Sequence, residues 1–496
     1  MKIKALIAGV MLATTTTVTA GGILTNTNQS IDFLRNPARD AAIGLDGVYS
    51  NPAGVVFLPE GFHFGFNWQY AHQTRTIEST SPFLALGKKN NGRTTKTFEG
   101  VADAPFIPSI QAAYNTGNWS WQFNFSVPGG GGKCEFADGL GSFETVVGNI
   151  ANQLKPLGAQ GYDMDGYMQG RQYYFGFQLG TAYKITENLS VYGGLRLLYG
   201  TATYRARISN IMVNVGDDRY MAFDGFLQSA ETTVDGGLSQ VNAGIAQLEA
   251  AGATALPQYA ELTTKKAQLE GTKQSLNALQ KYSQGVNLLC NQSSVGIAPI
   301  VSIDYKVGQF NFAVKYEFKT QIRMKNESTV FEASEIAAVN KFRDSEEVNE
   351  DVPALLAVGA QWSPVEQVRV NVGYHHYFDK DASWYNNAQD LLDHNSNEYL
   401  AGVEWDLNDR LTISAGAQLT RYGLSDQYMN DMSFVVNSNS FGFGGSYKVS
   451  DNVTLKAGYF QTNYDHYKRE NYPAEGFADD FTRTNRVLGI GCELNL

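Results

Sequence analysis

The sequence contains six histidines and three cysteines. These are the side chains best suited to bind a metal or haem or to act as nucleophiles. His375 and His376 are adjacent in a segment of alternating polarity, so they point to opposite faces of a strand and do not chelate one metal together. His63 and His375 are expected to face inward, as lone polar lining residues. GxSxG and HExxH motifs are absent from the sequence. We therefore predict no catalytic residues, no metal, no cofactor and no enzyme activity.

The end of the chain shows what kind of element positions these side chains. From Leu488 to Leu496 every even position is apolar, and the odd positions are small or polar. This period of two indicates a strand with one apolar and one polar face. No later stretch is apolar enough for a spanning helix, so a closed barrel in lipid accounts for the pattern.

Fourteen such segments are predicted, beginning near residues 61–71. Their connections alternate between short turns, such as 184–188, and long stretches, such as 211–294. This segregation is typical of bacterial outer-membrane barrels and has no reason to occur in a soluble sandwich, which is the alternative. The predicted fold is all-β: a 14-stranded antiparallel transmembrane β-barrel formed by residues 60–496.

The composition agrees with a barrel that has polar loops and aromatic girdles. The chain contains 50 glycines, 27 tyrosines and 28 phenylalanines, and its mean hydropathy is −0.27. Its formal net charge of −11 argues against a nucleic acid partner, which would require clustered Lys and Arg.

Residues 1–20 have the features of a secretory signal peptide. Lys2 and Lys4 precede an apolar run, and Val18-Thr19-Ala20 resembles a cleavage site. The apolar run is about half of the ~20 residues that a membrane helix needs. We therefore expect export, and a location in the bacterial cell outer membrane.

Two long loops have helical periodicity. Apolar residues recur every three to four positions in residues 142–154, and again on both sides of a break at Gly252 and Pro257. The second pattern predicts an antiparallel helical hairpin in a loop at about 228–290, whose abundant polar residues exclude membrane insertion.

The three cysteines differ in what their positions predict. Cys492 lies on the apolar face of the last strand, where it acts as a small hydrophobic residue. Cys134 and Cys290 both fall in segments predicted to lie outside the cell, which leaves open either a disulfide between them or two free thiols. No CxxC or CxxH spacing indicates a zinc site.

Residues 21–59 precede the first strand and do not alternate. They end in Asn51-Pro52-Ala53-Gly54, followed by the apolar residues 55–58 and Pro59. Prolines with fixed φ and an apolar run favour an ordered insert over a free tail. The segment is therefore expected to fold back into the lumen.

The sequence Asn51-Pro52-Ala53-Gly54 resembles the signature at the end of the N-terminal hatch in the FadL/TodX family of outer-membrane transporters. Its position just before fourteen strands extends the resemblance to the whole chain. Residues 127–129 are similar to the part of the third strand where that family's wall opens sideways. Residues 21–59 are accordingly called the hatch below.

The resemblance implies passive uptake of long-chain fatty acids or other hydrophobic small molecules. It implies capture at helical extracellular loops next to lipopolysaccharide, a lumen pocket gated by Asn51, Pro52, Ala53 and Gly54, and lateral release into outer-membrane lipid. The third long loop is longer and more polar than the family pattern. A receptor for haem or another ligand, or an adhesin that uses the large loops, is the alternative function. An outer-membrane lipase or protease is a further alternative.

Overall fold

The computed structural model describes residues 30–332 and 337–496, so the expected leader at 1–20 lies outside the described residues. Fourteen long strands within the described residues form one sheet. They are β1 Gly61–Thr80, β2 Thr95–Thr116, β3 Trp119–Phe136, β4 Gly161–Lys184, β5 Leu189–Asn214, β6 Val286–Val307, β7 Phe310–Glu317, β8 Leu355–Val365, β9 Val368–Tyr377, β10 Asn397–Asp406, β11 Leu411–Arg421, β12 Ser438–Ser450, β13 Val453–Tyr464 and β14 Ala478–Asn495. Four short pieces at Tyr220–Ala222, Arg323–Ser328, Glu347–Asn349 and Tyr467–Glu470 extend the ladders.

The sheet closes on itself. Each strand pairs antiparallel with the next in sequence, and β14 pairs with both β13 and β1, placing Trp68 opposite Ile490. The predicted 14-stranded antiparallel barrel is thus confirmed. In the parts of the chain that the structure covers, no helix combines the length and the hydrophobicity required to cross a bilayer.

The connections at the two ends of the barrel differ in length, as predicted. One end, called the turn end, carries tight turns, for example at 117–118 between β2 and β3 and at 308–309 between β6 and β7. The other end, called the loop end, carries the long connections. Because each strand pairs directly with its neighbour, short turns suffice at one end and all additional chain lies at the other.

Side chains alternate across the wall. In β1, Phe62, Phe66 and Tyr70 are exposed, whereas His63 and Asn67 are buried inside. Outward aromatic residues form one girdle near the turns and another about eight residues higher on the strands. The lower girdle includes Phe62, Tyr114, Trp119, Tyr183, Tyr305, Phe310, Trp362, Trp405 and Tyr447, and the upper includes Tyr70, Phe106, Tyr199, Phe318 and Tyr399. This spacing is close to the nine to eleven residues with which a tilted strand crosses a bilayer.

Several strands continue beyond their predicted ends. β1 extends to Thr80 rather than to residue 71, β3 to Phe136, and β6 begins at Val286 rather than near residue 297. The additional residues lie toward the loop end, above the upper aromatic girdle. There the outward face is no longer uniformly apolar, so no hydrophobic alternation marks the strand.

The predicted helices are present at the loop end. Helix α3, Gly141–Gln153, follows β3, and helices α4, Phe223–Ala250, and α5, Pro257–Gln280, form the antiparallel hairpin. Phe226 and Leu227 of α4 pack with Leu276 of α5 and with Ile150 of α3. The hairpin is therefore fixed at its base to the loop after β3. Two short helices, α1 Ile31–Arg35 and α2 Gly47–Ser50, belong to the hatch, and a further short helix spans Ala337–Asn340.

Candidate functional site

The described part of the hatch, residues 30–59, lies inside the barrel and follows its inner wall. Residues 31–40 pass from β14 to β8, and the wall makes room for them with one inward glycine on each of seven consecutive strands. A Cβ added to any of these glycines would lie 3.1 Å or less from a hatch atom; they are Gly359, Gly373, Gly402, Gly416, Gly442, Gly458 and Gly489. We call this set the glycine groove. The hatch backbone thus approaches the strands more closely than side chains would permit.

Ion pairs hold this first half of the hatch. The carboxylate of Glu404 in β10 forms ion pairs with Arg35 and with Arg39, each with an N–O distance of 3.0 Å. Asp32 pairs with Lys456 of β13 at 2.7 Å. All of these groups are removed from bulk water, where an unpaired charge is strongly unfavourable. Loss of any one of these charged side chains would leave another buried charge unpaired, so each ion pair helps to fix the position of the hatch.

Neutral hydrogen bonds hold the second half. Inward side chains of the wall donate to backbone carbonyls of the hatch at 2.7 to 2.9 Å. These bonds are Asn115 to Val55, Gln122 to Pro52, Gln178 to Val48, Ser190 to Ala53 and Asn311 to Ala41. Because buried carbonyl groups require partners, the irregular hatch backbone is stable only against this set of side chains.

Asn51 is the most closely coordinated residue of the hatch signature. It is fully buried, and its Nδ2 donates to the Asp304 carboxylate of β6 at 2.6 Å. Its Oδ1 accepts from the Gly54 backbone N–H at 3.3 Å. A Cβ on Gly54 would lie 2.4 Å from Asn51 Nδ2 and 3.0 Å from Asp304 Oδ2. Glycine is therefore required at position 54 for Asn51 to reach the wall.

Replacing Gly54 by alanine is expected to weaken attachment of the hatch by about 1–3 kcal/mol, because the added methyl group displaces Asn51 from Asp304. The measurement is protease cleavage of the hatch in folded, detergent-solubilised protein. Gly236→Ala is the matched control, since nothing lies within 4 Å of that position in α4 and alanine favours a helix. Equal protease resistance of Gly54→Ala and wild type would contradict the assigned role.

The wall itself has one long interruption. Between β2 and β3 the pairing stops at Ala102 opposite Cys134 and resumes at Ile110 opposite Phe125. Pro105 and Pro108 of β2 and Pro128 of β3 lie in the interruption, where they lack the N–H that a ladder needs. β3 also bulges against β4 at residues 126–129 and 130–132. Residues 103–109 of β2 and 126–133 of β3 therefore do not pair with each other, and we call these two stretches the wall gap.

An apolar patch connects the hatch with the wall gap. Ile31 and Leu34 of α1 pack with Ala71, Phe460 and Val487 of the wall, and Ala104 and Ile107 of the gap lie against this cluster. The apolar contacts between the hatch and the wall therefore continue to the edge of the wall gap, where Ala104 and Ile107 are only partly buried.

A 14-stranded barrel with an internal N-terminal segment and an interrupted wall near β3 matches known structures over nearly its whole length. The Pseudomonas putida toluene transporter TodX aligns with a TM-score of 0.53 and 12% identity, covering 91% of this chain and 94% of that chain. A Pseudomonas aeruginosa FadL homologue gives 0.59 and 9%, covering 96% and 99%. The Ralstonia pickettii toluene transporter TbuX gives 0.52 and 12%, covering 95% and 99%.

The chain has the FadL/TodX fold. No family model matches the sequence, and no curated protein matches it. The proteins that share the fold are described as transporters and channels rather than as enzymes. The similarity to these structures therefore lies in the arrangement of the strands and helices and not in the amino-acid sequence.

At the loop end of this FadL/TodX barrel, a cleft with a volume of about 310 Å³ lies beside α3. Phe83, Pro473 and Phe477 form apolar walls, and the rings of Phe83 and Phe477 are 5.7 Å apart. Asp431 lies at the cleft and accepts from the Ser142 backbone N–H at 2.8 Å. Burial, together with the Asp479 carboxylate, raises the pKa of Asp431 to about 6. The cleft is therefore mainly apolar with a polar margin.

Both inward histidines have partners on both ring nitrogens. His375 contacts Asp40 of the hatch at 2.8 Å and Glu398 at 2.9 Å. His63 contacts Asn495 at 2.6 Å and the Pro59 carbonyl at 2.8 Å. Neither histidine has a nitrogen available for haem iron. In the described residues no group of three or more His, Cys, Asp or Glu side chains is arranged to hold a metal ion.

The disulfide considered for Cys134 and Cys290 is not formed in the structure, where both are buried free thiols. Cys134 lies in β3 and Cys290 in β6, linked across the sheet through Gly170 and Tyr204. Three strand spacings correspond to about 14 Å, whereas a disulfide needs Cα atoms less than ~7 Å apart. Of the two alternatives left open by the sequence, the structure has two free thiols, because both residues belong to strands that are not neighbours.

Proposed function

We propose that the protein is an outer-membrane channel for passive uptake of hydrophobic small molecules, including long-chain fatty acids. The observation that carries this proposal is the wall gap beside a lumen closed by the hatch. The apolar patch at Ala104 and Ile107 supports a path that leaves sideways rather than along the barrel axis. Transporters of toluene with the same fold support the substrate class.

The proposed path begins at the cleft beside α3, where the apolar surface of Phe83 and Phe477 removes the solute from water. Burial of apolar area is worth about 25 cal/mol per Å², which is sufficient for a hydrocarbon to leave dilute solution. The solute then enters the lumen above the hatch. A shift of Asn51, Pro52, Ala53 and Gly54 away from β3, β5 and β6 opens the lower part of the path. No energy-coupling motif is needed, because the gradient of the solute drives the transfer.

The proposal is tested by comparing vesicles that contain the full protein with empty vesicles. We expect faster entry of oleate and toluene into the protein-containing vesicles, with no leak of a small polar dye. Removing residues 21–55 should preserve insertion but admit the dye, because the hatch then no longer fills the lumen. Entry of oleate and toluene at the rate of empty vesicles would overturn the proposed function. Normal oleate entry without dye leak in the truncated protein would overturn the gate.

A further inference from the structure

Two arginines face each other inside the barrel above the hatch. Arg75 of β1 and Arg483 of β14 are direct partners in the antiparallel register. Both lie on inward faces, as shown by Ala71 and Ile77 of β1 and by Phe481 and Val487 of β14, which are buried. Both arginine side chains are only half-buried, so they border a space inside the wall.

Neither arginine has a carboxylate partner in the part of the chain that the structure describes. Their Nε–H groups are buried and donate to no hydrogen-bond acceptor there. Arg483 donates only to neutral oxygens, those of Phe434 and Gln73, each at 3.3 Å, and its guanidinium lies 5.0 Å from the Tyr464 ring. The Arg75 side chain makes no hydrogen bond to any of the described residues.

This arrangement is electrostatically unfavourable as it stands. Like charges directly opposite each other on paired strands are destabilising, and charges removed from bulk water are normally paired. The hatch shows the usual arrangement, because Arg35 and Arg39 share Glu404. An anion between Arg75 and Arg483 would remove the repulsion and satisfy the free donors.

The surroundings of the pair match an amphiphile. Ala71 and Val487 lie four residues closer to the turn end on the same inward faces, about 13 Å along the strands. They belong to the apolar patch that reaches Ala104 and Ile107 at the wall gap. The hatch covers Ala71 and Val487, so a molecule with its head at the two arginines would lay its tail beside the hatch, against the partly exposed Ala104 and Ile107 of the gap.

We propose that Arg75 and Arg483 form a lumen site for the anionic head of an amphiphile, a carboxylate being the matching group. This proposal rests on the proposed uptake of hydrophobic molecules and adds a preference for acids over neutral compounds. Two planar guanidinium groups hold a carboxylate at four or more donor positions, and a hydroxyl group offers no charge to them.

The test uses calorimetric titration of the full protein in a neutral detergent with dodecanoate, dodecanol and inorganic phosphate. Wild type is expected to bind dodecanoate at least about tenfold more tightly than dodecanol. Arg75→Gln/Arg483→Gln should lose that advantage while its dodecanol affinity stays unchanged. Arg486→Gln is the matched control, since it removes the same charge from the outward face of the same strand and should behave as wild type.

Melting temperatures identify a variant that fails to fold. Because the double variant removes two like charges, its melting temperature should equal or exceed that of wild type. The single variants Arg75→Gln and Arg483→Gln are titrated in the same way, as a second pair of proteins. Undiminished dodecanoate affinity in the folded variants would overturn the site. Arginine-dependent binding of phosphate without arginine-dependent binding of dodecanoate would also overturn it, in favour of a small free anion. Failure of both dodecanoate and dodecanol to bind wild type would instead overturn the proposed function.

Discussion

Replacing Asn51 by aspartate is expected to detach the hatch and make the barrel leak small polar solutes. The new carboxylate would face Asp304, whose oxygen now accepts from Asn51 Nδ2 at 2.6 Å. Two carboxylates at this distance in a buried site lose the hydrogen bond and repel each other. The expected loss is about 3–5 kcal/mol, as for other buried charges without a partner. The measurement is dye entry into protein-containing vesicles, together with protease cleavage of the hatch.

The exchange variant Asn51→Asp/Asp304→Asn provides a sharp control. It restores one amide and one carboxylate at the same two positions, and Asn311, which now donates to Asp304 at 2.8 Å, keeps an oxygen acceptor. We expect this double variant to regain most of the barrier, and Asp304→Asn alone to fall between. A double variant that leaks as much as Asn51→Asp would show that the contact does not hold the hatch.

Replacing Ala104 by tryptophan is expected to lower uptake of hydrophobic molecules at least about tenfold while the barrel still inserts. Ala104 Cβ lies 3.7 Å from the position a Cβ would occupy on Gly132, so the two residues face each other across the upper part of the wall gap. An indole ring at position 104 would fill the opening and cover the patch at Ile107. Entry of toluene and oleate into vesicles measures the effect.

Ala112→Trp is the matched control for this experiment. It lies on the same strand opposite Phe64 and Phe123, on the outward face, and should leave uptake unchanged. Uptake by Ala104→Trp at the wild-type rate would place the exit elsewhere.

The barrel could be predicted from the sequence because lipid imposes a uniform rule on the outward face. Phe62, Phe66 and Tyr70 must be apolar, and their spacing reveals the strand and its phase. The ends of the strands at the loop end could not be predicted, since water permits either polarity there. Cys134 and Cys290 were assigned to loops for this reason, and the disulfide considered for them followed from that error.

The signature Asn51 to Gly54 could be recognised from its residues, but its partners could not. Nothing in the sequence near Asp304 or Ser190 distinguishes a side chain that contacts the hatch from ordinary polar lining. A signal for the groove was present: Gly359, Gly373 and Gly402 each occupy an inward strand position that a larger residue usually fills. The sequence does not show what takes the space, because that depends on where a distant segment folds. The arginine pair was missed for the same reason, since strand register decides which charges meet.

The glycine groove also determines how wide the empty barrel is. On each of seven adjoining strands, one inward position at the level of residues 31–40 carries no side chain, so main-chain atoms border the lumen at that position. Without its hatch the barrel would have a larger bore than one whose lining carries side chains all around. If the segment closes the lumen as proposed, its loss would make the outer membrane permeable to antibiotics and bile salts, and a side chain added in the glycine groove would have the same effect by displacing residues 31–40.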